Sequence, residues 1–230
     1  TFDFDDAVLF GGGVGDQDFR DRDVTTAMAR LDVAITPDTA VFARISANER
    51  DYDLSPPVVA FDRSSDGYTV DAGADFDIGG VARGEVALGY TEQDYDSPIL
   101  PDVDGLSVNA QVEWFPTQLT TVTVAAERGI EDAAIINSGA FIATEASVQV
   151  DHELLRNVIL TGRLGFGEDD YEGVDRSDER FEALVSATYL ANRNVGVRAS
   201  FNHLDYESSG AVARPDFDEN RFVVSVELRL

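Results

Sequence analysis

The sequence predicts an all-β protein: a closed antiparallel up-and-down transmembrane β-barrel of about twelve strands, forming one domain over residues 1–230. Three observations point there. Apolar and polar residues alternate with period two along most of the chain. The connections between these extended segments alternate between tight turns and long acidic loops. No apolar run reaches the roughly 18 residues that a membrane-crossing helix needs.

The alternation is plainest at 106–114, where Leu106, Val108, Ala110, Val112 and Trp114 are interleaved with Ser107, Asn109, Gln111 and Glu113. A strand of this kind has one greasy and one wet face. The pattern recurs at 142–150 (Ile142, Ala146, Val148, Val150 against Glu145, Ser147, Gln149) and at 222–230 (Phe222, Val224, Val226, Leu228, Leu230 against Ser225, Glu227, Arg229). Applied along the chain it gives twelve strands, at 3–15, 24–36, 39–50, 67–78, 81–93, 105–115, 118–128, 139–151, 157–169, 180–190, 194–206 and 220–230. Gly11-Gly12-Gly13 weakens the first. No helix competes, since His152 to Asn157 is too short.

Five connections are tight: Thr36-Pro37-Asp38-Thr39, Asp77-Ile78-Gly79-Gly80, Phe115-Pro116-Thr117-Gln118, His152 to Asn157 and Leu190 to Asn194. Pro, Gly, Asn and Asp favour turns there. The others, near 16–23, 49–66, 92–104, 128–138, 168–180 and 205–219, hold 28 of the 44 acidic residues but only 8 of the 17 arginines. Most of the charge therefore sits at one end. Short turns at one rim and long loops at the other are the layout of a bacterial outer-membrane barrel, periplasmic below and extracellular above. Asp51-Tyr52-Asp53, Asp94-Tyr95-Asp96, Asp170-Tyr171-Glu172 and Asp205-Tyr206-Glu207 recur where strands meet long loops. They read either as an interfacial aromatic girdle of Tyr52, Tyr95, Tyr171 and Tyr206 or as a strand-end turn signal. Trp114, Phe115 and Tyr189 would form the girdle at the other rim.

Composition excludes several functions. The formal net charge is −27, and every basic residue is Arg. Such a polyanion does not coat nucleic acid. Without Cys there is no disulfide framework and no thiolate metal site. Catalysis finds little footing: only His152 and His203 are present, and no GxSxG, HExxH or phosphate-binding loop occurs. The sequence predicts no enzyme.

Several stretches together resemble one family. They are Ser65-Asp66-Gly67-Tyr68, Gly84-Glu85-Val86-Ala87-Leu88-Gly89-Tyr90, Gln93-Asp94-Tyr95-Asp96, Trp114-Phe115-Pro116-Thr117 with Leu119-Thr120-Thr121-Val122-Thr123, Val150-Asp151-His152-Glu153-Leu154-Leu155-Arg156-Asn157, Asp170-Tyr171-Glu172-Gly173 and Asp218-Glu219-Asn220-Arg221. The chain resembles the Putative β-barrel porin 2 group of Gram-negative, mainly alphaproteobacterial, outer-membrane proteins. The resemblance implies an outer-membrane barrel. It extends to members associated with exopolysaccharide production, without a general substrate. It also implies a longer chain, with an N-terminal part preceding this one.

If the apolar face meets lipid, the polar face lines a lumen. That set comprises Arg30, Asp32, Arg44, Asp71, Asp75, Arg83, Glu85, Glu113, Glu127, Glu145, Asp151, Arg163, Glu182, Arg198, Glu227 and Arg229. It reads either as a cation-preferring pore for small hydrophilic solutes or as an ion-pair network that shuts a narrow barrel. Asp169, Asp170, Glu172, Asp175 and Asp178 form the densest acidic cluster, followed by Asp94, Asp96, Asp102 and Asp104. The former is a candidate for loosely bound Ca²⁺ or simply a solvated surface. No other cofactor is expected. Expected partners are outer-membrane lipid, lipopolysaccharide, surface polysaccharide or envelope proteins. Two alternatives stand beside the porin: a non-conducting scaffold or adhesion barrel, and a soluble secreted Ca²⁺-binding β-sandwich.

Overall fold

The structure is a computed structural model that describes residues 1–5, 7–8, 14–15, 17–54, 61–133, 135 and 138–228. Two short strands, β1 (Ala7–Val8) and β2 (Val14–Gly15), pair only with each other, and a single 3-10 turn follows at Asp18–Arg20. Eleven long strands then form one antiparallel sheet: β3 (Arg22–Thr36), β4 (Thr39–Tyr52), β5 (Ser65–Ile78), β6 (Ala82–Tyr95), β7 (Val103–Thr117), β8 (Thr120–Asp132), β9 (Ala140–Leu155), β10 (Val158–Tyr171), β11 (Ser177–Leu190), β12 (Val195–Ser209) and β13 (Phe217–Leu228). Each pairs with its sequence neighbours, so the sheet is a continuous meander with β3 and β13 at its edges.

The twelve-strand closed ring of the sequence reading is corrected here. The described part of 3–15 does not enter the large sheet. Just before that stretch, Phe2 makes one antiparallel bridge to Arg22. The sheet has eleven strands, and β3 does not pair with β13. The glycine-rich stretch lies outside the described residues.

Short and long connections alternate from β3 to β13. At the first turn the Asp38 amide donates to Thr36 Oγ1 at 3.3 Å, and Pro37 fixes the bend. At the second, Gly80 adopts φ +74, and the Val81 amide reaches the Ile78 carbonyl at 2.8 Å. The strands run further into the acidic regions than the sequence suggests. β4 continues to Tyr52, β8 to Asp132 and β12 to Ser209, so many acids placed in loops belong to strand ends.

The molecule is built inside out. Period two sends Leu31, Leu88, Val185 and Phe222 to one face, where they are 69%, 56%, 60% and 69% exposed. The described core is small. It consists of Phe61, Tyr95, Leu100, Val103, Ile130 and Ala140, with Ile142 against it. It joins β6, β7, β8 and β9 to the segments before β5 and before β7, at the end of the sheet that carries the long connections.

Candidate functional site

The cross-strand register assigns the faces. Arg30 stands opposite Arg44, Arg44 opposite Asp71, Asp75 opposite Glu85, and Glu127 opposite Glu145. Followed strand by strand with period two, this face carries Asp32, Arg83, Glu113, Asp151, Arg163, Glu182, Arg198 and Glu227 as well. Arg229 lies outside the described residues. The face is concave, because its side chains bridge strands that are not neighbours. Arg30 on β3 donates to Glu85 on β6 at 2.6 Å, and Arg180 on β11 reaches Glu145 on β9 at 3.4 Å.

Three clusters organise the concavity. In the first, Arg30 donates to Asp32 at 2.9 Å and to Glu85. Arg44 donates to Asp71 at 3.0 Å and faces Glu85 at 3.5 Å. Glu85 is thus shared by two guanidinium groups. The Arg30 guanidinium also lies 3.7 Å from the centre of the buried Phe42 ring.

The second cluster closes the long-connection end of β3–β9. Asp132 accepts from Arg22 at 2.9 Å and from Arg50. Arg63, in the segment before β5, donates to the Ala133 carbonyl at 3.2 Å and the Ile135 carbonyl at 2.8 Å. Burial pulls the Arg63 pKa below the ordinary arginine value, yet arginine remains a cation at neutral pH. Gly139 permits this closure, since a Cβ there would stand 2.8 Å from the Tyr95 ring.

The third cluster lies on β10–β12. Arg180 makes a two-pronged bond to Asp169, and Arg176 does the same to Asp178. Ser208 donates to Asp178 at 2.6 Å, and the Arg176 guanidinium sits 4.5 Å from the Tyr171 ring centre. The bond to Asp178 raises the Arg176 pKa.

Between the first and third clusters lies a cavity of about 280 Å³, lined on the polar side by Asn109, Gln111, Glu127, Glu145, Arg163, Arg180 and Glu182. A second, of about 320 Å³, is walled by Arg44, Ser46, Asn48, Thr69, Asp71, Ser107 and Arg128. Asn109 and Glu127 border both. Among the described residues Glu127, Arg163 and Glu182 have no ion-pair partner. The concavity therefore offers fixed, wet charge rather than a wholly cancelled lattice.

Two sequence expectations are corrected. Tyr52, Tyr95, Tyr171 and Tyr206 do not form an outer girdle. Tyr52 shares parity with Arg44 and Arg50, and Tyr206 stands opposite Arg180, so their rings belong to the polar face. Tyr95 and Tyr206 are 9% exposed, and Tyr206 stacks on Phe217 at 4.9 Å. The outer aromatic pair is Tyr68 and Tyr90, 6.4 Å apart, with the Tyr68 hydroxyl donating to Glu92. Trp114 and Tyr189 do face outward, whereas Phe115 lies beside Arg83 at 5.6 Å. The proposed Ca²⁺ cluster is not assembled. Asp169 and Asp178 are held by arginines, Asp175 accepts from the Ala211 amide at 3.0 Å, and Asp170 and Glu172 join no such group. Among the described residues no three His, Cys, Asp or Glu side chains are placed to hold a metal ion.

The sequence reading missed Arg22, Arg50, Asp132 and Arg180 as members of the concave face. Parity with Arg30, Arg44 and Glu182 was the available signal for Arg22, Arg50 and Arg180, whereas Asp132 has the opposite parity to Glu127 on β8, so alternation gave no signal for it.

With this geometry in place, the sequence matches the family model described as Putative beta-barrel porin 2 over residues 1–230. The chain belongs to that family. The fold of this porin-family chain is similar to that of the outer membrane channel DcaP of Acinetobacter baumannii, with a TM-score of 0.54 and 12% identity over 87% of this chain. The chain spans 61% of the length of that channel. A KdgM porin aligns with a TM-score of 0.36 and 10% identity, over 90% of this chain and 99% of its own. No curated protein matches the sequence significantly.

Proposed function

We propose that the chain is the wall of an outer-membrane channel of a Gram-negative bacterium that passes small hydrophilic solutes with a preference for cations. The observation that carries this reading is the division of one curled sheet into a convex apolar face and a concave charged one. A soluble β-sandwich would bury its apolar faces against each other; here those faces are open, as lipid contact requires. Family membership supports the address. The cation preference follows from the wall, where carboxylates outnumber arginines and Glu127 and Glu182 stand without ion-pair partners among the described residues. The cluster around Phe61 and Tyr95 fills part of one end, which favours a narrow conduit over a wide one. No feature of the described concave face singles out a polymer over smaller solutes.

Planar-bilayer recording tests the channel. Discrete conductance steps with a cation-selective reversal potential are expected. Trp114, the single tryptophan, is outward-facing, so brominated lipids should quench its fluorescence. Quenching with silent bilayers leaves the non-conducting scaffold. Absence of quenching in folded protein removes the membrane reading altogether.

A further inference from the structure

Three cross-strand rows traverse the concave face between β8 and β11. In the upper row, nearest the long-connection end, Glu127, Glu145, Gly167 and Arg180 stand side by side. Two residues along each strand, Ala125, Ser147, Gly165 and Glu182 form the middle row, and Thr123, Gln149 and Arg163 begin the lower one. Successive rows lie roughly 7 Å apart.

The middle row hollows the wall. Ala125, Ser147 and Gly165 are small on three neighbouring strands, and the cavity of about 280 Å³ lies over them. That volume is close to the lower end of small-molecule sites, roughly 300 Å³. The glycines of β10 decide what leans into it. A Cβ at Gly165 would stand 4.0 Å from Glu182 Oε2, so the Glu182 carboxylate hangs over the floor of the hollow. A Cβ at Gly167 would stand 2.9 Å from Arg180 Nη2, so Arg180 lies flat across β10 on its way to Asp169.

The charges around the hollow are unevenly paired. Arg180 is taken up by Asp169 and by Glu145 at 3.4 Å. Among the described residues, Glu127, Glu182 and Arg163 have no ion-pair partner. What remains is one carboxylate in the upper row, one in the middle row and one guanidinium in the lower row. A solute with two cationic groups and one carboxylate answers all three. Arg163 offers a planar fork that takes a carboxylate through two parallel hydrogen bonds. Glu182, one row up on the adjacent strand, suits an ammonium group on the same carbon as that carboxylate. Glu127, a further row up, suits a cation at the far end of a short aliphatic chain, whose methylenes cross the small residues of the middle row. Other solutes leave a charge unanswered. A diamine has nothing for Arg163, a dicarboxylate sets an anion against Glu127 or Glu182, and a neutral amino acid leaves Glu127 bare.

We propose that the hollow over Ala125, Ser147 and Gly165 binds a basic α-amino acid such as arginine or lysine, held by Arg163 at its carboxylate, by Glu182 at its α-ammonium group and by Glu127 at its side-chain cation. The site deepens the channel reading above and rests on it, since the hollow opens on the face that lines the conduit.

Calorimetry on protein folded in detergent micelles, with folding checked by heat-modifiable migration, tests the site. The probes are arginine, agmatine (arginine without its carboxylate) and norvaline (which lacks the side-chain cation). At low ionic strength arginine should bind saturably and at least ~10-fold more tightly than either analogue, the loss expected for one charged hydrogen-bonded partner. Arg163→Gln should weaken arginine by a similar factor and leave agmatine unweakened. Glu127→Gln should weaken arginine in the same way and leave norvaline unweakened. Absence of saturable arginine binding to folded protein overturns the proposal. So does an Arg163→Gln variant that weakens arginine and agmatine alike, or a Glu127→Gln variant that weakens arginine and norvaline alike. Bilayer recording tells this failure from failure of the channel. Conductance steps without arginine binding remove the site and keep the conduit, whereas arginine binding to protein that is silent in bilayers keeps the site and removes the conduit.

Discussion

Arg22 Nη2 lies 2.9 Å from Asp132 Oδ2, although β3 and β8 are five positions apart in the sheet. In a flat sheet that separation is about 24 Å. The contact therefore measures curvature. At the long-connection end the wall rolls until its first strand meets its sixth, and the same carboxylate takes Arg50 from β4. These side chains are only 12–17% exposed, so the charges depend on one another.

Replacing Asp132 with Asn should leave Arg22 and Arg50 uncompensated. Removing one partner of a largely buried pair costs about 3 kcal/mol. The urea midpoint of the vesicle-bound protein should fall accordingly. An unchanged midpoint would show that the clasp follows from the curl rather than holding it.

Glu85 plays the corresponding part in mid-wall, between Arg30 and Arg44. Glu85→Gln leaves Arg44 with Asp71 and Arg30 with Asp32, so a milder loss of roughly 1–2 kcal/mol is expected. The channel should also become less cation-selective, because two guanidinium groups then face the lumen with less neutralisation. Reversal potentials in a KCl gradient check the second effect separately from the first.

The strands were legible because β7 alternates over 106–114 and β9 over 145–150, and alternation is a local property. The tyrosines show where reading stopped short. Asp-Tyr-Asp looks like a rim motif, yet Tyr52 has the parity of Arg44 and Arg50, and that parity was in the sequence. The strand ends were misplaced for a different reason. Asp132, Asp169 and Asp178 look like loop acids until Arg50, Arg180 and Arg176 arrive to neutralise them. Arg50 is brought by curvature and Arg180 by register across a turn, which no short stretch of sequence encodes, whereas Arg176 stands two residues from Asp178 and that spacing was in the sequence.

Gly73 marks a place where the wall has no room. A Cβ there would run into the Val86 carbonyl and stand 2.6 Å from Phe42 Cζ. Gly73→Ala should destabilise the protein by about 1–3 kcal/mol, since backbone and a buried ring must both shift. Gly129→Ala is the control: a Cβ at Gly129 meets nothing within 4 Å, and its unfolding midpoint should match that of the parent. Equal effects of the two would show that loss of glycine flexibility, not space, governs the response.

Glu127 and Arg163 test the lumen chemistry most directly, because both border the 280 Å³ cavity and neither is held in an ion pair among the described residues. A unit charge about 4 Å from a hydrated ion contributes about 1 kcal/mol in water-like surroundings, which converts to a roughly fivefold change in relative permeability. Glu127→Gln should lower the cation-to-anion ratio by up to that factor, and Arg163→Gln should raise it. Neither substitution disturbs a bonded partner, so folding midpoints should stay put. Opposite shifts in reversal potential at unchanged stability would mean that ions pass this part of the wall. If both variants conduct with the parent's selectivity, current flows elsewhere, and the cavity between β7 and β11 is not on the path.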